Sequence, residues 1–224
     1  MDRNSFKIYC AGPLFNPMER KEMAKIADAL KKAGYCVFLP QEDGLEFSKL
    51  YPAFIKCGIN ETKTNEILNE AIFSLDVFEV LDADGLILNM NGRVPDEGAM
   101  VEAGMAWSHE KVVVIYNSDD RSLIQGSCNP LVLGLSNFET VSSYEEIVHT
   151  FERKFRELGS CIISSRNKTG FENAKYKGKT IRDFLNSKKN EQELANLLID
   201  LFGENLCRDT KDVKGKCFQA DTLQ

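Results

Sequence analysis

The chain has 224 residues, enough for one large domain or one domain with an appendage. Hydrophobic residues make up 43 % and charged residues 28 %, which excludes a disordered or collagen-like chain. Lys plus Arg number 28 against 34 Asp plus Glu, a net charge of −6, and this argues against a nucleic-acid duplex as partner.

No apolar run approaches the roughly 20 residues of a membrane helix, and nothing before the first strand reads as a signal peptide. The expected location is the cytoplasm, with no membrane partner. The seven cysteines are odd in number and show no C-x-x-C spacing. They read as reduced thiols. His109 and His149 are the only histidines, so no metal site is expected.

Phe6 to Cys10 reads as a first strand running into a Gly12-Pro13 turn. Asn16-Pro17 then has the form of a helix cap followed by proline at the first helical position. Met23, Ile26, Ala27 and Leu30 line one face of a helix to about Lys32. Tyr35 to Leu39 is an unbroken apolar run, as for a strand buried on both faces, and Pro40 stops it. A mixed loop over 41–60, with a short helix around Glu46 to Phe54, precedes a long helix from Thr64 to Leu81. Gly85 to Leu88 is the third strand, Glu97 to His109 a helix, and Val112 to Tyr116 the fourth strand. A long loop over 117–137 leads to a short strand at Phe138 to Val141. Ser143 to Leu158 is a helix opened by a Ser143-x-x-Glu146 capping box.

Strands alternating with amphipathic helices predict an α/β fold: a flavodoxin-like, doubly wound, five-stranded parallel sheet over residues 1–159. Residues 160–224 differ in composition. They predict a C-terminal helical extension, with helices at 181–185 and 191–206 and a frayed end. In a doubly wound sheet the ligand lies beyond the carboxyl ends of the strands, so the loops there are where chemistry is sought.

Two clusters stand out. After the third strand, Asp96 is placed to cap a helix in which Gly98, Ala99, Ala103, Gly104 and Ala106 keep the surface thin. Glu102 lies among those small residues, and a carboxylate buried there is costly unless paired or used; a structural or surface role is equally compatible with its position alone. Asp96 as a plain cap and Glu97 as a solvated first-turn acid are the simpler readings of those residues. After the first strand, Gly12 lets a ligand near the backbone, and Tyr9 ends the strand, where core packing is the ordinary fate of a tyrosine. No phosphate-binding glycine motif is present.

Together these segments resemble the nucleoside 2-deoxyribosyltransferases. The resembling pieces are Lys7 to Pro17, Val37 to Gly44, Asp82 to Asn89, Pro95 to Ala106 and Asn129 to Leu131, in family order over residues 6 to about 155. The resemblance implies that Glu102 is a nucleophile attacking the anomeric carbon of a 2′-deoxynucleoside and forming a covalent deoxyribosyl-enzyme. It implies that Tyr9 orients Glu102, that Asp96 protonates the leaving base, and that Asp76 supports base binding. It also implies that Phe15 stacks on the base or lines the pocket, core packing being the alternative. Asn129 would bind the sugar 5′-hydroxyl in a neighbouring subunit, making the protein a homo-oligomer. The ligands so implied are small-molecule nucleosides and free nucleobases.

Two rivals remain. Relatives of this fold hydrolyse deoxynucleoside or nucleoside 5′-monophosphates, using serines or an arginine in the first turn to hold the phosphate. The turn Gly12 to Asn16 has no Ser, Arg or Lys, which favours an uncharged 5′-hydroxyl. A non-catalytic nucleotide-binding module on the same fold is the other.

Overall fold

The computed structural model of the chain describes residues 2–45, 47–58, 60–92, 94–119 and 129–161, with scattered positions between 176 and 197. The strands are β1 (Lys7–Ala11), β2 (Cys36–Phe38), β3 (Gly85–Asn89), β4 (Val112–Tyr116) and β5 (Thr140–Val141). The helices are α1 (Pro17–Lys32), α2 (Pro40–Asp43), α3 (Phe47–Lys56), α4 (Glu61–Asp82), α5 (Glu97–Ser108), α6 (Pro130–Leu133) and α7 (Tyr144–Cys161). All strand pairs are parallel, in the order β2-β1-β3-β4-β5. This is the expected doubly wound α/β architecture.

Contacts divide the chain into two units, 1–167 and 168–224. Most of the expected helices at 181–185 and 191–206, and the frayed end, lie outside the described residues. No described helix is long and apolar enough to cross a membrane.

Side-chain alternation along the strands decides what faces what. Ile8, Cys10, Ile87, Val112, Val114 and Tyr116 join Met23, Ile26 and Leu30 of α1 and Ile147, Phe151 and Phe155 of α7 in one core layer. Tyr9, Ala11, Leu86, Leu88, Val113 and Ile115 join Val80 of α4 and Ala99, Ala103 and Ala106 of α5 in the other. Tyr9 is thereby committed to the α4–α5 face. The alanines at 99, 103 and 106 are fully buried. On this side the thinness of α5 serves close packing on the sheet.

The β1–α1 loop is set by its cap. Asn16 Oδ1 accepts from Met18 N at 2.9 Å and Glu19 N at 3.0 Å, while Glu19 Oε2 accepts from Phe15 N at 2.9 Å and Asn16 N at 3.2 Å. The Ser143–Glu146 capping box forms as expected, with bonds of 3.2 and 3.3 Å.

Four local expectations change. Tyr35 to Leu39 is not a strand buried on both faces: β2 covers only Cys36–Phe38 at the sheet edge, with Cys36 exposed. Pro40 does stop the strand, but it also opens α2, whose Asp43 Oδ2 reaches back to accept from Leu39 N at 2.8 Å. The 117–137 loop contains α6, capped by Asn129, and a 3₁₀ turn at Gly134–Ser136. β5 begins at Thr140 and not at Phe138, because Asn137 and Phe138 have φ of 59° and 64°, left-handed backbone that no strand accommodates.

Candidate active site

β1 and β3 are neighbours in the sheet, yet the chain leaves β1 for β2 on the opposite side. The strand order reverses there, and the crevice beyond their carboxyl ends is the cleft. It holds about 330 Å³. Its walls come from the β1–α1 loop, the segment after β2, α4 and the start of α5.

Tyr9 is 0 % exposed and stacks on Phe38 with ring centroids 5.4 Å apart. Its hydroxyl donates to Glu102 Oε1 at 2.8 Å. The close packing of α5 on the sheet brings the half-buried Glu102 within reach of a strand residue. The Glu102 carboxyl is raised to about 7, chiefly by burial and to a lesser degree by the charges of Asp76 and Asp96, against the lowering effect of the Tyr9 bond. The Tyr9 phenol is itself pushed well above its ordinary value, first by burial and then by the negative charge of Glu102. At neutral pH it is therefore a hydrogen-bond donor.

Asp76, on α4, is half-buried and lines the same cleft. Burial raises its carboxyl pKa, against the lowering effect of a hydrogen bond from Tyr9. Asp96 also lines the cleft and caps α5, its Oδ2 accepting from Ala99 N at 3.0 Å. The sequence candidates Gly12, Phe15, Asp76, Asp96 and Glu102 line this one crevice, and the buried Tyr9 bonds Glu102 from behind it.

Gly12 lines the cleft, but the lack of a side chain there has a packing cause. A Cβ would come within 2.6 Å of Met23 Sδ and 2.8 Å of Asn89 Cβ. Phe15 is 82 % exposed at the cleft mouth, so the core-packing alternative for it falls away. Asn129 is exposed and accepts from Leu131 N at 2.9 Å as the cap of α6. It is not among the residues lining this chain's cleft. Among the described residues, no group of three or more His, Cys, Asp or Glu side chains is arranged to hold a metal ion.

Sequence reasoning missed Arg20, Gln41, Phe47 and Ile72, which also line the cleft. Arg20 Nε donates to Leu14 O at 2.9 Å, and Gln41 Nε2 donates to Arg20 O at 3.0 Å. Gln41 directly follows the second strand and its Pro40, the position where a doubly wound sheet presents its ligand loops. That signal was available. Arg20 lies one helical turn after Asn16, and only the helix orientation turns it into the cleft.

A buried tyrosine bonded to a half-buried glutamate thus stands at the switch point, with two aspartates lining the same cleft. The family model for nucleoside 2-deoxyribosyltransferase matches residues 8–195. The chain belongs to the nucleoside 2-deoxyribosyltransferase family. That match runs past residue 155, where the resembling motifs end. Membership in the nucleoside 2-deoxyribosyltransferases makes the chain an enzyme acting on nucleosides.

No curated protein matches the chain. Among solved structures, a conserved protein from Enterococcus faecalis V583 is 22 % identical, covering 66 % of this chain and 98 % of its own, with a TM-score of 0.50. A 2-deoxyribosyltransferase from Bacillus psychrosaccharolyticus is 22 % identical, covering 63 % of this chain and 90 % of its own, with a TM-score of 0.45. A CMP N-glycosidase from Clostridium botulinum is 14 % identical, covering 65 % of this chain and 98 % of its own, with a TM-score of 0.39. At 22 % identity and a TM-score of 0.50, the likeness to the Enterococcus faecalis protein is one of fold.

Proposed function

We propose that this chain exchanges the base of a 2′-deoxynucleoside through a covalent deoxyribosyl ester on Glu102. The observation that carries the reading is the Tyr9–Glu102 hydrogen bond at the head of the cleft. A lone carboxylate has oxygens free to rotate. One oxygen pinned by a buried phenol leaves the other presented in a fixed direction, the positioning that nucleophilic catalysis needs.

In the first half-reaction the ionised Glu102 attacks C1′. The C1′–N bond breaks with its electron pair leaving on the base, and Asp96 supplies a proton to that base. In the second, a nitrogen lone pair of the acceptor base attacks C1′. The ester C1′–O bond breaks, Glu102 recovers its carboxylate, and the acceptor base loses a proton to Asp96. Two inversions return the original anomer. Asp76 supports the base, and Phe15 offers it an exposed ring. Asn129, which does not line its own cleft, suits a homo-oligomer in which it reaches the sugar of a neighbour. Such a reaction belongs to nucleoside salvage in the cytoplasm and calls for no cofactor.

The test is intact-protein mass spectrometry after mixing with deoxyinosine and no acceptor. Wild type should gain the mass of one deoxyribosyl group, and Glu102→Ala should gain nothing. Turnover of deoxyinosine without any adduct, or an adduct that persists in Glu102→Ala, would contradict the reading.

A second reading is favoured by Arg20. The first turn lacks a cation, but Arg20 supplies one to the cleft lining from one turn into α1. A guanidinium there suits a 5′-phosphate, and with water as acceptor the same nucleophile would make the enzyme a nucleoside 5′-monophosphate hydrolase.

A further inference from the structure

On the other face of the sheet, at the same carboxyl edge, lies a polar network that the proposed chemistry does not use. Glu22 of α1 is half-buried, and each of its oxygens takes a side-chain amide: Oε1 accepts from Asn91 Nδ2 at 2.7 Å and Oε2 from Asn89 Nδ2 at 3.2 Å. Asn91 Nδ2 also donates to Ser118 Oγ at 3.0 Å, and Asn91 Oδ1 accepts from Ser118 N at 2.8 Å. Gly92, with φ of 116°, turns the chain and donates from N to Asp119 Oδ2 at 3.2 Å. Asn89 is 0 % exposed, and its Cβ is one of the atoms against which Gly12 packs.

The network therefore joins three segments. α1 carries the Arg20 wall of the cleft. The segment after β3 carries Asp96 five residues beyond Asn91. The segment after β4 supplies Ser118 and Asp119. Glu22 takes an amide from both Asn89 and Asn91, and its neighbour on α1, Met23, adds an Sδ acceptor for Asn89 Nδ2 at 3.4 Å. A surface acid would gain little from ordering two amides, but a half-buried carboxylate with both oxygens occupied fixes its donors within a hydrogen-bond length.

We propose that Glu22 is a positioning residue, holding the β3–α5 segment against α1 through Asn89 and Asn91 so that Asp96 meets the departing base. The proposal rests on the reading of Asp96 as proton donor. Glu22 touches no substrate and acts only through the loop. A misplacement of about 1 Å in a catalytic group is worth on the order of 10²-fold in rate.

The test compares two leaving groups. Deoxyinosine releases a base that needs a proton, whereas 7-methyl-2′-deoxyguanosine carries a ring already quaternised and needs none. Glu22→Ala should lose on the order of 10²-fold in kcat on deoxyinosine and far less on the methylated substrate, with KM little changed. The exchange Glu22→Gln with Asn91→Asp restores a donor–acceptor pair with roles reversed, and should recover most of the loss. Should Glu22→Ala not fold, Glu22→Gln alone, which sets an amide against the Asn91 amide, carries the same comparison.

Asp96→Asn is the control. Selective loss on deoxyinosine in Asp96→Asn, but equal loss on both substrates in the Glu22 variants, would overturn the positioning role. Equal loss on both substrates in Asp96→Asn would remove the proton-donor reading and the proposal with it.

Discussion

The hydroxyl of Tyr9 donates to Oε1 of Glu102 across 2.8 Å, between residues 93 apart in sequence. The pair puts two opposed influences on one carboxyl. Burial and the charges of Asp76 and Asp96 favour the neutral acid, the tyrosine bond favours the carboxylate, and the balance lies at about 7.

A nucleophile must be ionised, so kcat/KM should rise with pH through about 7 as Glu102 loses its proton. Asp76→Asn removes a negative neighbour and should move this acid limb to lower pH. Tyr9→Phe removes the bond that favours the carboxylate and should move it up by about one unit, with reduced kcat. A limb that stays fixed in both variants would show that Glu102 is not the group titrating.

Stability should respond with its own sign. A carboxyl raised from 4.5 to about 7 in the folded state binds more protons folded than unfolded between those values. Folding stability therefore falls as pH rises across that window. Glu102→Gln removes the titration. It should be more stable than wild type above pH 7 by roughly 1–3 kcal/mol and equal to it at pH 4, while losing at least about 10³-fold in activity. Denaturant unfolding at both pH values checks this, and equal differences at the two would contradict it.

How much of this was readable beforehand depended on length and repetition. β1, β3 and β4 contain the apolar runs Ile8 to Ala11, Leu86 to Leu88 and Val112 to Tyr116, and α1 shows a four-residue apolar stripe, so strands and helix declare themselves. The Asn16-Pro17 cap was legible because a periodic helix follows it. The same Asn-Pro signature at Asn129-Pro130 opens only a four-residue helix, too short for any period, and was absorbed into a loop. Phe138 looked like strand by composition, but its left-handed backbone is imposed by the turn before β5. Glu102 and Tyr9 were legible through the resembling motifs. Arg20 and Gln41 were not, because no local pattern states which side of a loop or helix meets a crevice built by distant segments.

Arg20 separates the two functional readings. If the cleft takes 5′-monophosphates, Arg20→Ala should weaken KM for deoxynucleoside monophosphates by roughly 10-fold or more, the worth of a charge-assisted bond, and leave deoxynucleosides little affected. On the transferase reading, monophosphates should be poor substrates of wild type and Arg20→Ala should change that little. Steady-state kinetics on deoxyadenosine and its 5′-monophosphate decides between them.

Asn129 tests whether the cleft is shared. Asn129→Ser keeps a capping oxygen for α6 while shortening the side chain. If the residue serves a neighbour's cleft, mixing this variant with inactive Glu102→Ala after partial unfolding and reassembly should give more activity than the sum of the two. Activity equal to that sum would place the whole site within one protomer.

The most direct test of the central claim is chromatography of deoxyinosine incubated with adenine and the enzyme, beside the same mixture with Glu102→Ala. Base exchange through Glu102 predicts deoxyadenosine and hypoxanthine in equal amounts with wild type, and neither with the variant. Hypoxanthine with free deoxyribose and no deoxyadenosine, or deoxyadenosine formed equally well by Glu102→Ala, would contradict it.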